Sequence, residues 1–239
     1  MNNIAENKGT KDIVIKTPKQ IIELIYDKLK RKPYQTILDI GCHTGDLSRP
    51  FKRKKGISII GVDVLNDSNE NIDTFIHQDF LKTTLSDYNI KPDLILCNPP
   101  FGTYENTNIP IPELFLEHIF LLFGDNIPLV YIVPNWITDN SKRRMIKFQN
   151  YNITKQIQLE KNIFDDVLIH SKILFFNIIF KDKKPLEYLD KRVEKTFQKK
   201  KSVAFNKEQI VYINNNIDNF SKEIKLLIKG KYPDFPLSK

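Results

Sequence analysis

What most constrains this chain is a succession of short apolar runs, each stopped by a glycine, a carboxylate or an amide. Residues 36–40, TILDI, stop at Gly41, and residues 57–62, ISIIGV, stop at Asp63. Residues 74–76 lead to Asp79, and residues 93–97, DLILC, stop at Asn98. Residues 129–133, LVYIV, form a fifth run. Apolar runs of this length, without polar alternation, read as strands covered on both faces. Helical spacing fills the intervals. Residues 19–30 carry Ile21, Ile22, Leu24, Ile25 and Leu29 on one face, with Thr17-Pro18 where a cap and first turn belong. Residues 112–123, PELFLEHIFLLF, are the clearest second helix. Strands alternating with helices predict right-handed crossovers and parallel pairing. Residues 157–159 and 171–180 add two strands with no long helix between them, which predicts an antiparallel strand at that edge. The expected fold is α/β: a mostly parallel seven-stranded sheet with helices on both faces and an antiparallel edge strand.

The 239 residues suffice for one domain with an appendage. Residues 1–12 read as a disordered lead, residues 13–182 as the core domain and residues 183–239 as a basic helical extension. Within the extension, residues 186–201 place Leu186, Leu189, Val193 and Phe197 at helical spacing. The net charge is +8, and residues 184–239 hold 13 Lys and Arg against 7 Asp and Glu. That excess favours a polyanionic partner, and the basic runs at 49–55 and 142–144 are further candidates for phosphate contacts. No secretory leader and no membrane span is expected. Cys42 and Cys97 cannot build a disulfide framework and read as small buried residues in a reducing, cytoplasmic compartment. The four histidines and two cysteines lack ligand spacing, so no metal is expected.

The residues that stop the strands share one edge of the expected sheet, where open α/β sheets bind ligands. Gly41 and Gly45, in LDIGCHTGDLS, let the backbone come close to a ligand. The loop lacks the Gly-Lys-Ser/Thr ending of a phosphate loop. Asp63 is suited to the paired hydroxyls of a ribose. A nucleoside-bearing cofactor without a pyrophosphate fits both. Asn98-Pro99-Pro100-Phe101 is the sharpest signal. An amide oxygen and the Pro99 carbonyl can each accept one N–H of an amino group. Two prolines stiffen the backbone, and Phe101 offers a flat face for a planar substrate.

With these motifs the chain resembles the class I S-adenosylmethionine-dependent methyltransferases, which have a Rossmann-like fold. More narrowly, it resembles the adenine-N6 DNA methyltransferases, including modification subunits of restriction systems. The resemblance covers residues 13–182. It implies S-adenosylmethionine as cofactor, held by the segment at Thr17 and Pro18, by the loop with Asp39, Gly41, Cys42 and Gly45, and by Asp63 and Val64 at the ribose. It further implies Asp79 and Phe80 at the cofactor adenine, and Asn98, Pro99, Pro100 and Phe101 at the target base, with Asn98 also beside the cofactor. Val133-Pro134-Asn135-Trp136, Asn162-Ile163-Phe164 and residues 172–176 resemble the later strands of such enzymes. His43 departs from the family, which has a smaller residue there. Within residues 183–239 no extended target-recognition domain is expected after the core.

The implied reaction is in-line methyl transfer to the exocyclic amine of a flipped or unpaired adenine in DNA. The implied partners are the nucleic acid and either a specificity subunit or a second copy of the chain. An RNA methyltransferase acting on adenine N6 or guanine N2 is the first alternative, because the same clamp resembles motifs in both. A glutamine-amide methyltransferase ranks lower, since Phe101 stands where that family usually has Tyr and no separate N-terminal helical domain is expected in these residues. A non-catalytic subunit of a methyltransferase complex is the remaining alternative.

Overall fold

The computed structural model describes residues 16–65, 70–104, 108–139, 142–164, 168–181 and 186–189. The lead at 1–12 and the extension beyond Leu189 lie outside the described residues.

Eight strands form one sheet: β1 (Thr36–Ile40), β2 (Ser58–Asp63), β3 (Thr74–His77), β4 (Leu94–Cys97), β5 (Leu129–Pro134), β6 (Ile153–Leu159), β7 (Ser171–Phe176) and β8 (Leu186–Leu189). Their order is β3-β2-β1-β4-β5-β7-β6-β8. β3, β2, β1, β4 and β5 pair in parallel, whereas β7 runs antiparallel to both β5 and β6. The antiparallel strand is thus inserted between β5 and β6, and β8 adds to β6 in parallel beyond it.

Side chains alternate across β1, as a pleated strand requires. Leu38 and Ile40 join the core under α3 (Ile111–Phe123), with Phe115, Leu116, Ile119 and Phe123. Ile37 joins the opposite core with α1 (Lys19–Leu29) and Phe51 of α2 (Arg49–Lys52). From α1, Ile21, Ile22, Ile25 and Leu29 are buried, each contributing about 2 kcal/mol by removal from water. The apolar face read from the sequence is therefore the buried one. Two short helices, α4 (Asn135–Asp139) and α5 (Lys142–Gln149), follow β5.

Three boundaries differ from the sequence reading, each for a local reason. β6 begins four residues before the expected start, at Ile153. Its apolar run is broken by Lys155, which is nevertheless buried because Glu187 accepts from its ammonium at 2.7 Å. β7 stops at Phe176, because Asn177 adopts φ 57° and its amide donates to the carbonyls of Asp125 and Ile127. Residues 186–189 are not helical. They form the eighth strand, with Glu187 paired to Lys28 and Lys155 and Leu189 buried against the α1 core. Helical spacing places Leu186 and Leu189 on one face, but a strand makes use of the Glu187 pairing that a surface helix would forgo. Among the described residues, no helix is long and apolar enough to cross a membrane.

Candidate active site

The site is assembled where the parallel strands end. After β1 the chain turns sharply, with φ +69° at Gly41, +44° at His43 and +66° at Gly45. Such left-handed conformations cost a residue with a Cβ, so glycine fits the first and last of them. At Gly41 a Cβ would also face the Asn98 carbonyl oxygen at 3.5 Å, which sets the loop directly beside the end of β4. The loop is held to β2 by Gly41 and Cys42, whose N–H groups both donate to the Val62 carbonyl. Gly61 of β2 makes room for that packing: a Cβ there would lie 2.8 Å from Cys42 Sγ.

His43 bears the unfavourable backbone, and its N–H donates to Asp63 Oδ2 at 2.8 Å. Leu65 N donates to Asp63 Oδ1 at 2.9 Å. Asp63 is thereby fixed at the tip of β2 by two backbone donors, and a carboxylate retains further lone pairs for hydroxyl donors. Val64, which follows, is 59% exposed, and its carbonyl accepts from His77 Nε2 at 2.9 Å. Asp79 caps the 3-10 turn 80–82, accepting from Leu81 N at 3.0 Å, with Lys82 Nζ 3.8 Å away. Phe80 packs in the core against Phe115 and His118.

Asp39 points into the fold. It is 1% exposed, and its carboxylate accepts from Ser48 N at 3.2 Å. Burial pushes its pKa up to about 7; the Ser48 bonds pull it down, and the neighbouring Asp63 and Asp46 push it further up. Cys97, at the end of β4, is fully buried, and burial pushes its thiol up as well, so it stays protonated. Neither cysteine forms a disulfide.

Asn98 follows Cys97, half-buried, with Pro99 buried and Pro100 exposed. Asn98 Nδ2 donates to Thr17 Oγ1 at 3.0 Å, bringing the segment before α1 against the end of β4. Phe101 is half-buried and meets Phe164 edge-on at 5.9 Å. Beyond it, Ile111 N donates to the Gly102 carbonyl and Tyr104 N to that of Ile109, so residues 102–104 lie beside 109–111.

On the far side of Asn98 from the glycine loop, a groove of about 430 Å³ is lined by Asn135, Trp136, Asp139, Lys161, Leu168, Ile169 and His170. Asn135 and Trp136 are visible in the sequence as the residues after the fifth strand. Lys161 and residues 168–170 carry no motif; only the pairing of β7 with β5 and β6 brings them there. Two basic side chains of α5 are less available to phosphate than their charge suggests. Arg144 is bound to Glu113, and Lys147 of the same helix to Glu113 and Glu117. Burial raises Glu113, but Lys147 and Arg144 outweigh it and hold the carboxyl below the usual carboxylate range.

A family model described as a methyltransferase domain matches residues 14–154. The chain belongs to the methyltransferase-domain family. No curated protein matches it by sequence. Among solved structures, it is similar to the methyltransferase subunit of a type I restriction-modification system from Streptococcus thermophilus, with 18% identity and a TM-score of 0.57. That match covers 88% of this chain and 54% of the subunit, so the chain spans about half the subunit's length. A protein from Listeria monocytogenes described as a class I S-adenosylmethionine-dependent methyltransferase matches with 18% identity and TM-score 0.52, over 89% of this chain and 73% of its own. A chain of a type I restriction-modification system matches at 13% identity and TM-score 0.55, over 94% and 58% respectively. These likenesses establish the class I methyltransferase fold.

The strand ends of this chain fit S-adenosylmethionine, the cofactor of the class I fold. The glycine loop leaves Gly41 without a Cβ against β4. Two carboxylates, Asp63 and Asp79, stand at successive strand ends, and acceptors of that kind suit hydroxyl and amine donors such as a nucleoside carries.

Proposed function

We propose that this methyltransferase methylates the exocyclic N6 amine of adenine in DNA. The observation that carries the reading is Asn98-Pro99-Pro100-Phe101 at the end of β4, with the Asn98 amide nitrogen bound to Thr17. A hydroxyl oxygen accepts that N–H, so the amide oxygen keeps the acceptor role for a substrate amine. Asn98 Oδ1 and the Pro99 carbonyl accept the two amine protons, which favours a tetrahedral nitrogen with its lone pair directed at the methyl group. Phe101 stacks on the base. The glycine loop around Gly41, Cys42 and Gly45 receives the methionine part of the cofactor, beside Thr17 and Pro18. Asp63 accepts from the ribose hydroxyls next to Val64, and Asp79 takes the adenine amine next to Phe80.

When bound, the cofactor supplies a methyl group on a positively charged sulfur, a leaving group that calls for no strong base. Positioning is then the main contribution of the chain, with nitrogen and methyl carbon held about 3–3.5 Å apart. The methylated amine gives its surplus proton to water. A base within a duplex does not reach this crevice, so it enters flipped or unpaired. The net charge of +8 supports a polyanionic substrate. The similarity to chains of type I restriction-modification systems supports sequence choice by a partner subunit.

The test is transfer of labelled methyl to DNA, total RNA and protein in parallel, with nucleoside digestion to identify the product. N6-methyladenine in DNA, abolished by Asn98→Ala, is expected. Label in RNA or protein alone would overturn the DNA reading, and equal activity in Asn98→Ala would overturn the role of the amide.

A further inference from the structure

We propose that the groove beyond β5 binds the nucleotide next to the reacting one on the substrate strand. The inference rests on the nucleic-acid reading above. Its first support is position. The sheet order puts Gly41, Asp63 and Asp79 on one side of Asn98, at the ends of β1, β2 and β3. β5 is the neighbour on the other side, one strand spacing of about 4.8 Å away, and Asn135 and Trp136 are the residues that leave it. A strand delivering a base to Asn98 is kept from the cofactor side by the cofactor itself. It therefore runs over this groove.

The second support is chemistry. A nucleotide needs a flat face, a positive charge for its phosphate and a few polar partners. Trp136 is half-buried in the groove wall, with the Arg144 guanidinium over its ring at 6.0 Å. Arg144 is itself tied to Glu113, so the indole is braced before any ligand arrives. Lys161 and His170 are exposed on the rim, and Leu168 is 72% exposed. Asp139 is the one acid among the lining residues, and Lys172 Nζ lies 2.9 Å from both of its oxygens, cancelling its charge. The groove keeps the charge of Lys161. Asn135 Oδ1 accepts from Gln158 Nε2 at 3.2 Å, so its amide nitrogen is the end left to donate to a phosphate or base edge. A volume of about 430 Å³ is within the range of small-ligand pockets.

The chain carries its own probe, because Trp136 is its only tryptophan. The full-length protein would be titrated with a fluorescently labelled single-stranded DNA oligonucleotide and, in a parallel arm, with RNA of the same sequence. Anisotropy of the label would report binding, and tryptophan emission would report the groove. Saturable quenching that tracks binding is expected. Lys161→Ala should weaken affinity about five-fold and reduce the salt slope by about 0.7, one phosphate contact to a single strand. Trp136→Ala should weaken it about ten-fold, and Trp136→Phe should restore most of that. Binding without quenching, or with Lys161→Ala unchanged in affinity and salt slope, would overturn the inference. The two readings fail separately. Quenching without methyl transfer to nucleic acid would sink the proposed reaction and leave the groove as a nucleotide site. Methyl transfer with a silent Trp136 would do the reverse. No binding by either probe would overturn the groove.

Discussion

Asn98 Nδ2 donates to Thr17 Oγ1 over 3.0 Å, joining residues 81 positions apart in the sequence. One ends a central strand; the other precedes the first helix. The bond sets which end of the Asn98 amide donates and which accepts, before any substrate arrives.

Removing that acceptor should affect turnover more than cofactor binding. Thr17→Val keeps the shape and deletes the hydroxyl. Its kcat for methyl transfer should fall about ten-fold, the worth of one polar hydrogen bond to an amide of fixed orientation. Thr17→Ser should recover most of the rate. Single-turnover kinetics beside calorimetric binding of S-adenosylhomocysteine separates the two effects. A pure loss of cofactor affinity would mean that Thr17 serves the cofactor and not Asn98.

Asp63 offers a different split. Its carboxylate is oriented by the N–H groups of His43 and Leu65, so Asp63→Asn retains the side-chain size while changing what one end can accept. Affinity for S-adenosylhomocysteine should fall at least ten-fold by calorimetry, in keeping with charge-assisted bonds to hydroxyls. An unchanged affinity would remove Asp63 from the ribose.

The sequence made the first five strands and the helices α1 and α3 legible, because each of these elements agrees with its neighbours in period and in stop signal. β1 spans the very residues read from TILDI, and α1 buries the face that its spacing marked. What stayed hidden depends on partners distant in sequence. Lys155 looks like a strand breaker until Glu187 is beside it, and residues 186–189 look helical until β6 offers them an edge. The glycine loop was readable as a loop. The inward turn of Asp39 towards Ser48, and the tie between Thr17 and Asn98, are tertiary facts that no local pattern encodes. The groove walls come from three segments that meet only because β7 pairs with both β5 and β6.

Asp39 makes stability depend on pH around neutrality. Burial raises its folded pKa from 3.8 to about 7, so between those values the folded state keeps a proton that the unfolded chain has lost. Stability is therefore full below about pH 4 and declines as pH rises, with the whole loss present above about pH 7. The decline amounts to at most about 4 kcal/mol. Asp39→Asn can still accept from Ser48 N and has no charge to bury. Thermal unfolding of the unliganded protein should show the variant gaining stability at pH 8 and little at pH 4. Parallel curves for both proteins across that range would show that Asp39 stays ionised in the fold.

A second effect on stability should come from the edge of the sheet. Glu187 on β8 binds Lys155 of β6 at 2.7 Å and Lys28 of α1 at 2.7 Å. The Lys155 side chain is only 1% exposed, while Lys28 and Glu187 are 18% and 25% exposed. Burial raises Glu187, but the hydrogen bonds from Lys155 and Lys28 prevail and hold it below its usual range. The clamp is therefore complete above about pH 4.5, the unfolded value, and is lost as pH falls through the lower folded value. Breaking one side of such a pair is worse than removing both. Glu187→Ala strips the carboxylate from a buried ammonium and should cost about 3 kcal/mol. Lys155→Met with Glu187→Leu replaces charge by apolar contact and should cost much less, because the Lys155 ammonium already lies 4.9 Å from the Phe180 ring centroid, where a thioether also fits. Urea unfolding of the three proteins at pH 7 gives the comparison. If Glu187→Ala and the double variant lose the same stability, the buried charge is not what holds β8 to the sheet, and backbone pairing with β6 carries it alone.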